Sequence, residues 1–148
     1  MVKISRITWE PVYSVHVEAI DEQHRNLFNT VNQLIDIFET GSGELLPVIH
    51  DLIAYLSVHF HQEHLVMMNA GYPEFEAHSR EHRKFTEKVG QFLAAYREGD
   101  TELGLKMLLY LKEWIRDHTT MLDLRYGEYL LKNADKLKMV QPDTLVAK

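Results

Sequence analysis

Residues 44–96 read ELLPVIHDLIAYLSVHFHQEHLVMMNAGYPEFEAHSREHRKFTEKVGQFLAAY, and the two periodic halves of this stretch decide the fold. In the first half Ile49, Leu52, Ile53, Leu56, Phe60 and Met67 recur at the spacing of one helical face. Pro47 falls in the first turn of that helix, where a missing N–H is tolerated. Gly71-Tyr72-Pro73 stops it. A second stripe, on a helix beginning near Pro73, holds His78, His82, Phe85, Val89, Phe92 and Tyr96. The stripes also carry His59-x3-Glu63 and His78-x3-His82. A spacing of four puts two side chains on one face, a turn apart. An imidazole or carboxylate there is costly to desolvate unless something binds it.

The same period continues outward in both directions. Upstream, Asp21 is placed to cap a helix whose inward face holds His24, Leu27, Phe28, Val31, Leu34, Ile35 and Phe38, ending at Gly41-Ser42-Gly43. Downstream, Glu98-Gly99-Asp100 is a break. A fourth helix follows from Thr101 or Glu102 to about Leu131, with Met107, Leu111, Trp114, His118 and Leu122 inward. Residues 1–20, with Pro11 and the β-branched Val12, Val15 and Val17, disfavour helix. The tail from Asn133, with Pro142, reads as loosely attached. Helices of roughly 20–30 residues span about 30–45 Å. Joined by connections of about 3–5 residues, neighbours must pack antiparallel. The expected fold is all-α: an up-down-up-down four-helix bundle with an extended N-terminal arm, residues 1–132 forming the unit and 133–148 a tail.

Composition narrows the chemistry. With 148 residues, 45% apolar and 26% charged, the chain can bury one sizeable core. A net charge of −6 offers no basic patch for phosphates, so no nucleic-acid partner is expected. No apolar run reaches the length of a membrane span, and the N-terminus lacks the apolar core of a signal peptide. A cytoplasmic location is expected. The cysteine count is 0, which excludes disulfides, thiolate sites and iron–sulfur clusters. Any metal must be held by His, Asp or Glu, and 9 histidines with ample carboxylate favour Fe, Zn or Mn.

Depth along the bundle brings the candidates together. His24 lies early in the first helix, and His59 and Glu63 lie late in the second. His78 and His82 are early in the third, and His118 is well along the fourth. In an alternating bundle these positions meet in one layer. Asp123 follows His118 by five residues, about 140° of helix rotation. Both can face one site if the site is wide, as a two-metal site is, or if the helix bulges locally. His50 and His61 lie off the inward stripe, His64 is ambiguous, and His16 precedes the first helix. A coordinating imidazole needs an acceptor for its other N–H, and Glu22 and Glu81 are nominal candidates.

These residues, in this order, resemble the hemerythrin family, its bacterial single-domain members in particular. The similarity covers about residues 7–130. It is carried by the Trp9 region with Ser14-Val15-x-Val17, by Ile20-Asp21-x-Gln23-His24, and by His59-Phe60-x-x-Glu63 with Met67 and Tyr72-Pro73. It continues through His78-x-x-Glu81-His82-x-x-Phe85 and Trp114-Ile115-x-x-His118 with Asp123 and Tyr126. The resemblance implies two non-haem iron ions joined by an oxo or hydroxo bridge. It implies that His78, His82 and His118 bind one iron, that His24 and His59 bind the other, and that Glu63 and Asp123 bridge them. It further implies reversible binding of O2 at the iron with the open position.

The sequence departs from the family pattern at His16, where Gly is frequent, and at His64, where a second Glu commonly follows Glu63. It departs again at Thr120, where oxygen carriers often place an apolar residue near the ligand pocket. Five imidazoles and two carboxylates make a nitrogen-rich shell, less suited than a carboxylate shell to high iron oxidation states. Such a shell favours binding O2 for transport, storage or sensing over O–O cleavage. Nothing marks an organic-substrate pocket with its own acid, base or nucleophile, so the chain is not expected to be an enzyme. The competing readings are a di-iron oxidase, peroxidase or nitric oxide detoxifying enzyme using the same site, and iron storage.

Overall fold

The computed structural model describes residues 3–41, 43–97 and 103–140. It is helical, with no strand among the described residues. Helix α1 spans Glu18–Thr40, α2 Leu45–Ala70 and α3 Phe75–Arg97. The fourth long segment is continuous but not uniform: α4 spans Leu103–Asp117, a π-helical turn spans His118–Leu122, and α5 spans Asp123–Lys132. A short α6, Ala134–Met139, closes the described chain. Helix α1 packs against α2 and α4, and α3 packs against the same two, so the four long segments enclose a common interior. The expected break at Glu98-Gly99-Asp100 lies outside the described residues.

Local chemistry accounts for the ends. Gly71 follows α2 in the left-handed region, φ 64°, which costs a side-chain-bearing residue free energy. There Tyr72 N–H donates to the Met67 carbonyl at 2.9 Å and Gly71 N–H to the Met68 carbonyl at 3.1 Å. This pair of bonds satisfies carbonyls that the helix end leaves open. Helix α1 begins three residues before Asp21, so Asp21 is not the expected cap. Its buried carboxylate instead accepts from Ser14 Oγ at 2.6 Å and from Val15 N–H at 2.9 Å.

That pairing is one of several by which α1 holds residues 3–17. Asn32 exchanges two hydrogen bonds with the Ile7 backbone, and Glu39 accepts from Ile4 N–H at 2.8 Å. Backbone groups that no helix or sheet satisfies thereby find partners on side chains. Ile4, Ile7, Val15 and Val17 are buried as a result. Gly127 on α5 is required by the same contact, because a Cβ there would lie 2.8 Å from Val15 Cα. Residues 133–140 of the expected loose tail are packed, while 141–148 lie outside the described residues. Helix α6 packs on α2 and α5, and Val140 is fully buried beside Tyr72, Tyr126 and Leu130.

The apolar core is divided. One cluster holds Leu27, Phe28, Leu56, Phe85, Leu111 and Ile115 among others. The second holds Ile20, Val66, Met67, Tyr126, Leu130 and Val140. On every long segment, the residues between the two clusters are the buried polar ones. His24 lies between Ile20 and Leu27, and His59 and Glu63 between Leu56 and Val66. His118 and Asp123 lie between Ile115 and Tyr126. A polar layer thus crosses the bundle with hydrocarbon above and below it.

Candidate metal centre

All seven side chains singled out from sequence lie in that layer, and all are buried. Their ligand atoms fall into two sets. Glu63, His78, His82, His118 and Asp123 form one, and His24, His59, Glu63 and Asp123 form the other, with ligand atoms within 4.8 Å of one another. The two carboxylates belong to both sets and divide their oxygens between them. Glu63 Oε1 lies 3.2 Å from His82 Nε2 and 3.8 Å from His78 Nε2, whereas Oε2 lies 3.3 Å from His24 Nε2 and 3.5 Å from His59 Nε2. Asp123 Oδ1 lies 3.0 Å from His78 Nε2 and 3.1 Å from His118 Nε2, whereas Oδ2 lies 3.0 Å from His24 Nε2.

The spacing fits metal coordination better than direct pairing. Neighbouring donors of an octahedral ion with bonds of about 2.1 Å stand about 3.0 Å apart. His82 Nε2 and His118 Nε2 are 2.9 Å apart, a distance that suits one shared proton and equally suits two neighbouring donors on one ion. His78 Nε2 and Asp123 Oδ1 are at ion-pair distance, yet neither forms a hydrogen bond of acceptable direction. Glu63 Oε1 and Asp123 Oδ2 are likewise buried without one. Lone pairs that crowd together without pointing at each other fit a cation between them, and buried polar atoms left this way would otherwise be costly.

The π-helical turn resolves the angular problem of Asp123. A five-residue step in a regular α-helix would turn Asp123 about 140° from His118. The turn over His118–Leu122 uses i→i+5 bonding, and Asp123 N–H donates to the His118 carbonyl. Residue 123 therefore stacks over residue 118, and both reach the five-residue set.

Two residues quoted in the sequence motifs without a role touch the layer. Tyr126, buried, donates from its hydroxyl to Glu63 Oε2 at 2.7 Å. Burial, with the nearby Glu63 and Asp123 charges, holds the Tyr126 phenol well above its ordinary pKa, so it remains a donor. Gln23 Oε1 lies 2.6 Å from His59 Nδ1, and Gln23 in turn donates to Gln62. The outer partner of His59 is thus an amide rather than the carboxylate of Glu22 or Glu81. A carbonyl acceptor fixes the proton on Nδ1 and leaves Nε2 free to bind.

Without a metal the carboxylates collect protons on the imidazoles. Burial pulls His24 down, but Asp123 and Glu63 outweigh it and raise its pKa to about 9. The same balance raises His78 to about 10. Burial prevails at His118, which is lowered. Burial would push Glu63 up, yet His59, His24 and His78 hold it well below the ordinary range, and Asp123 is lowered by His118 and His24. The layer therefore draws positive charge to its centre.

The aromatic surround is ordered. Phe60 stacks on His82 with ring centroids 3.9 Å apart, and Trp114 stacks on His118 at 4.2 Å. Phe85 stacks on Trp114 at 4.0 Å. Thr120 is not part of this surround. Its hydroxyl donates to the Arg116 carbonyl at 2.7 Å, and it lines an outer groove with Ser5, Tyr13 and Phe28. Thr120 thus lies outside both donor sets. His64 packs edge-on against Phe75 at 4.5 Å, and His16 adopts φ 70° before α1; neither joins the layer.

Comparison with known proteins gives consistent matches. The family model for the hemerythrin HHE cation binding domain matches residues 15–129. A bacteriohemerythrin of Methylococcus capsulatus is 29% identical over 126 residues, 84% of this chain and 96% of that protein. A bacteriohemerythrin of Pseudomonas aeruginosa is 25% identical over 135 residues, covering 90% and 88%. A hemerythrin of Sipunculus nudus is 26% identical over 122 residues, covering 82% and 92%.

Proposed function

Because the chain belongs to the hemerythrin family, we propose that it is a non-haem di-iron protein that binds O2 reversibly, for transport, storage or sensing. One iron would be held by His78, His82 and His118, and the other by His24 and His59, with Glu63 and Asp123 bridging. The observation that carries this reading is the division of each carboxylate between two donor sets, since one ion would not need it. The proposed frame is an up-down-up-down bundle with residues 3–17 laid along it as an arm.

Bound iron would supply the electrons that hold O2 and recover them when it leaves. The residues make that exchange reversible by what they bind and exclude. Neutral imidazoles keep the charge of the shell low. The set with His24 and His59 has fewer protein donors than the set with three histidines, so an ion held there would keep room for a ligand. The Tyr126 hydroxyl, 2.7 Å from Glu63 Oε2, donates its proton to that oxygen, which faces the same set. Phe60 covers one face of the His82 imidazole and Trp114 one face of the His118 imidazole, with Phe85 backing Trp114.

The test is an oxygenation cycle. The chain is loaded with Fe(II), exposed to O2, followed by visible absorption and then degassed. A charge-transfer band that forms and disappears again supports the proposal. Prompt, irreversible conversion to the diferric state would replace it with an oxidase.

A further inference from the structure

A cleft of about 360 Å3 opens between α2 and α3, separate from the metal layer. Its walls are Ile53, Leu56, Val89 and Leu93, and Phe60 and Phe85 also line it. No charged side chain among the described residues lines it. Of its two hydroxyl groups, that of Thr86 is already committed, donating to the His82 carbonyl at 2.9 Å. Ser57 and Gly90 hold the cleft open: a Cβ placed on Gly90 would meet nothing within 4 Å.

Phe60 connects this cleft to the donor atoms. Its ring lines the cleft and also stacks on His82. The same ring lies 6.0 Å from His59 and 6.3 Å from His118, centroid to centroid. It therefore stands between the cleft and the His82 imidazole, with His59 of the other donor set close by. The groove on the other side of α3 has a different character. It reaches His118 past Glu81, Glu113, Asp117 and Arg125, a charged lining that suits water.

An uncharged diatomic gas partitions into apolar space, whereas water needs several polar partners to stay there. At about 30 Å3 per water-sized molecule, the cleft has room for several such gas molecules. We propose that the α2–α3 cleft is a binding site for O2 and its route to the metal centre, with Phe60 as the side chain it must pass. This rests on the proposed oxygen-binding function, but the cleft can be tested separately from it.

The test combines xenon, an apolar probe, with a plugged variant. Crystals of the wild-type chain are pressurised with xenon and its anomalous signal is mapped. Xenon is expected in the cleft, in contact with Phe60 and beside Gly90. In the double variant Ser57→Leu, Gly90→Leu that signal should be lost. Both positions are exposed helix sites, and leucine is a good helix former, so the fold should persist. The O2 association rate of the Fe(II)-loaded variant should then fall roughly tenfold, about 1.4 kcal/mol of added barrier, with iron content unchanged. An empty cleft under xenon, or an unchanged association rate in a variant that excludes xenon, would overturn the inference. Xenon in the cleft of a wild-type chain that never binds O2 would instead remove the proposed function and, with it, the route.

Discussion

Replacing Tyr126 with Phe removes one oxygen atom from a buried site and leaves the ring in place. The hydroxyl lies 2.7 Å from Glu63 Oε2 and donates to a carboxylate held ionised by its surroundings. A hydrogen bond to a charged group contributes about 1.5–3 kcal/mol. Glu63 Oε2 would keep His24 at 3.3 Å and His59 at 3.5 Å, so the oxygen is not left bare. The loss in the metal-free chain should therefore lie near the middle of that range, about 2 kcal/mol. At about 2–4 °C per kcal/mol for a chain of this size, the thermal midpoint should fall by roughly 4–8 °C. With metal bound, Oε2 has a further partner, and the loss should shrink to about 1 kcal/mol. Urea and thermal unfolding followed by circular dichroism, with and without metal, measure both values. The phenol stays protonated well beyond neutrality, so the difference should not change between about pH 6 and pH 9. An unchanged urea midpoint in the metal-free variant would refute the claim that Tyr126 holds Glu63.

Three further outcomes are expected. Deleting the exposed Met121 should convert the π-helical turn to regular α-helix, with the Asp one turn from His118, about 40° away, so that both metals still bind; loss of metal in this deletion would show that the extra residue itself shapes the site. Gly127→Ala should destabilise the fold by about 1–3 kcal/mol, because its Cβ meets Val15 Cα at 2.8 Å and the chain before α1 must shift; an unchanged urea midpoint would mean that this segment is not packed there. The metal-free chain should weaken in alkali. His24 and His78 have folded pKa values of about 9 and about 10, above the ordinary 6.5, so their contribution is full below about pH 6.5 and is lost as pH rises through those values. Urea midpoints from pH 6 to pH 10 would show the decline, and a flat profile would contradict it.

The parts of this molecule that follow local rules were legible in the sequence. Most positions of the four inward stripes lie on the buried sides of the long segments, although Leu122 is only partly buried and lines an outer groove with Glu81 and Arg125; Gly71 ends α2 as its position predicts. Helix rise and short connections likewise leave little freedom in depth, which is why six of the seven side chains could be placed in one layer, Asp123 needing the local bulge as well. What was hidden depends on partners distant in sequence or on broken periodicity. Asp21 has the composition of a cap, yet it binds Ser14 and Val15, which only the return of the preceding chain over α1 brings near. Val140 looks like part of a polar tail until Tyr72 and Tyr126 are seen to form a seat for it. The π-helical turn has no residue signature of its own, and only the five-residue step to Asp123 hinted at it. Gln23 and Tyr126 stood in recognisable motifs, but their hydrogen bonds cross from one helix to another.

The central claim, reversible O2 binding at a pair of irons, is tested most directly by counting gas. A deoxygenated Fe(II)-loaded chain is titrated with O2 while iron is assayed, then the bound O2 is recovered by degassing and the cycle is repeated. One O2 should be taken up for each iron pair held by His24, His59, Glu63, His78, His82, His118 and Asp123, and nearly all of it returned. Uptake without return, or uptake that survives when His24 and His59 are both replaced by Ala, would contradict it.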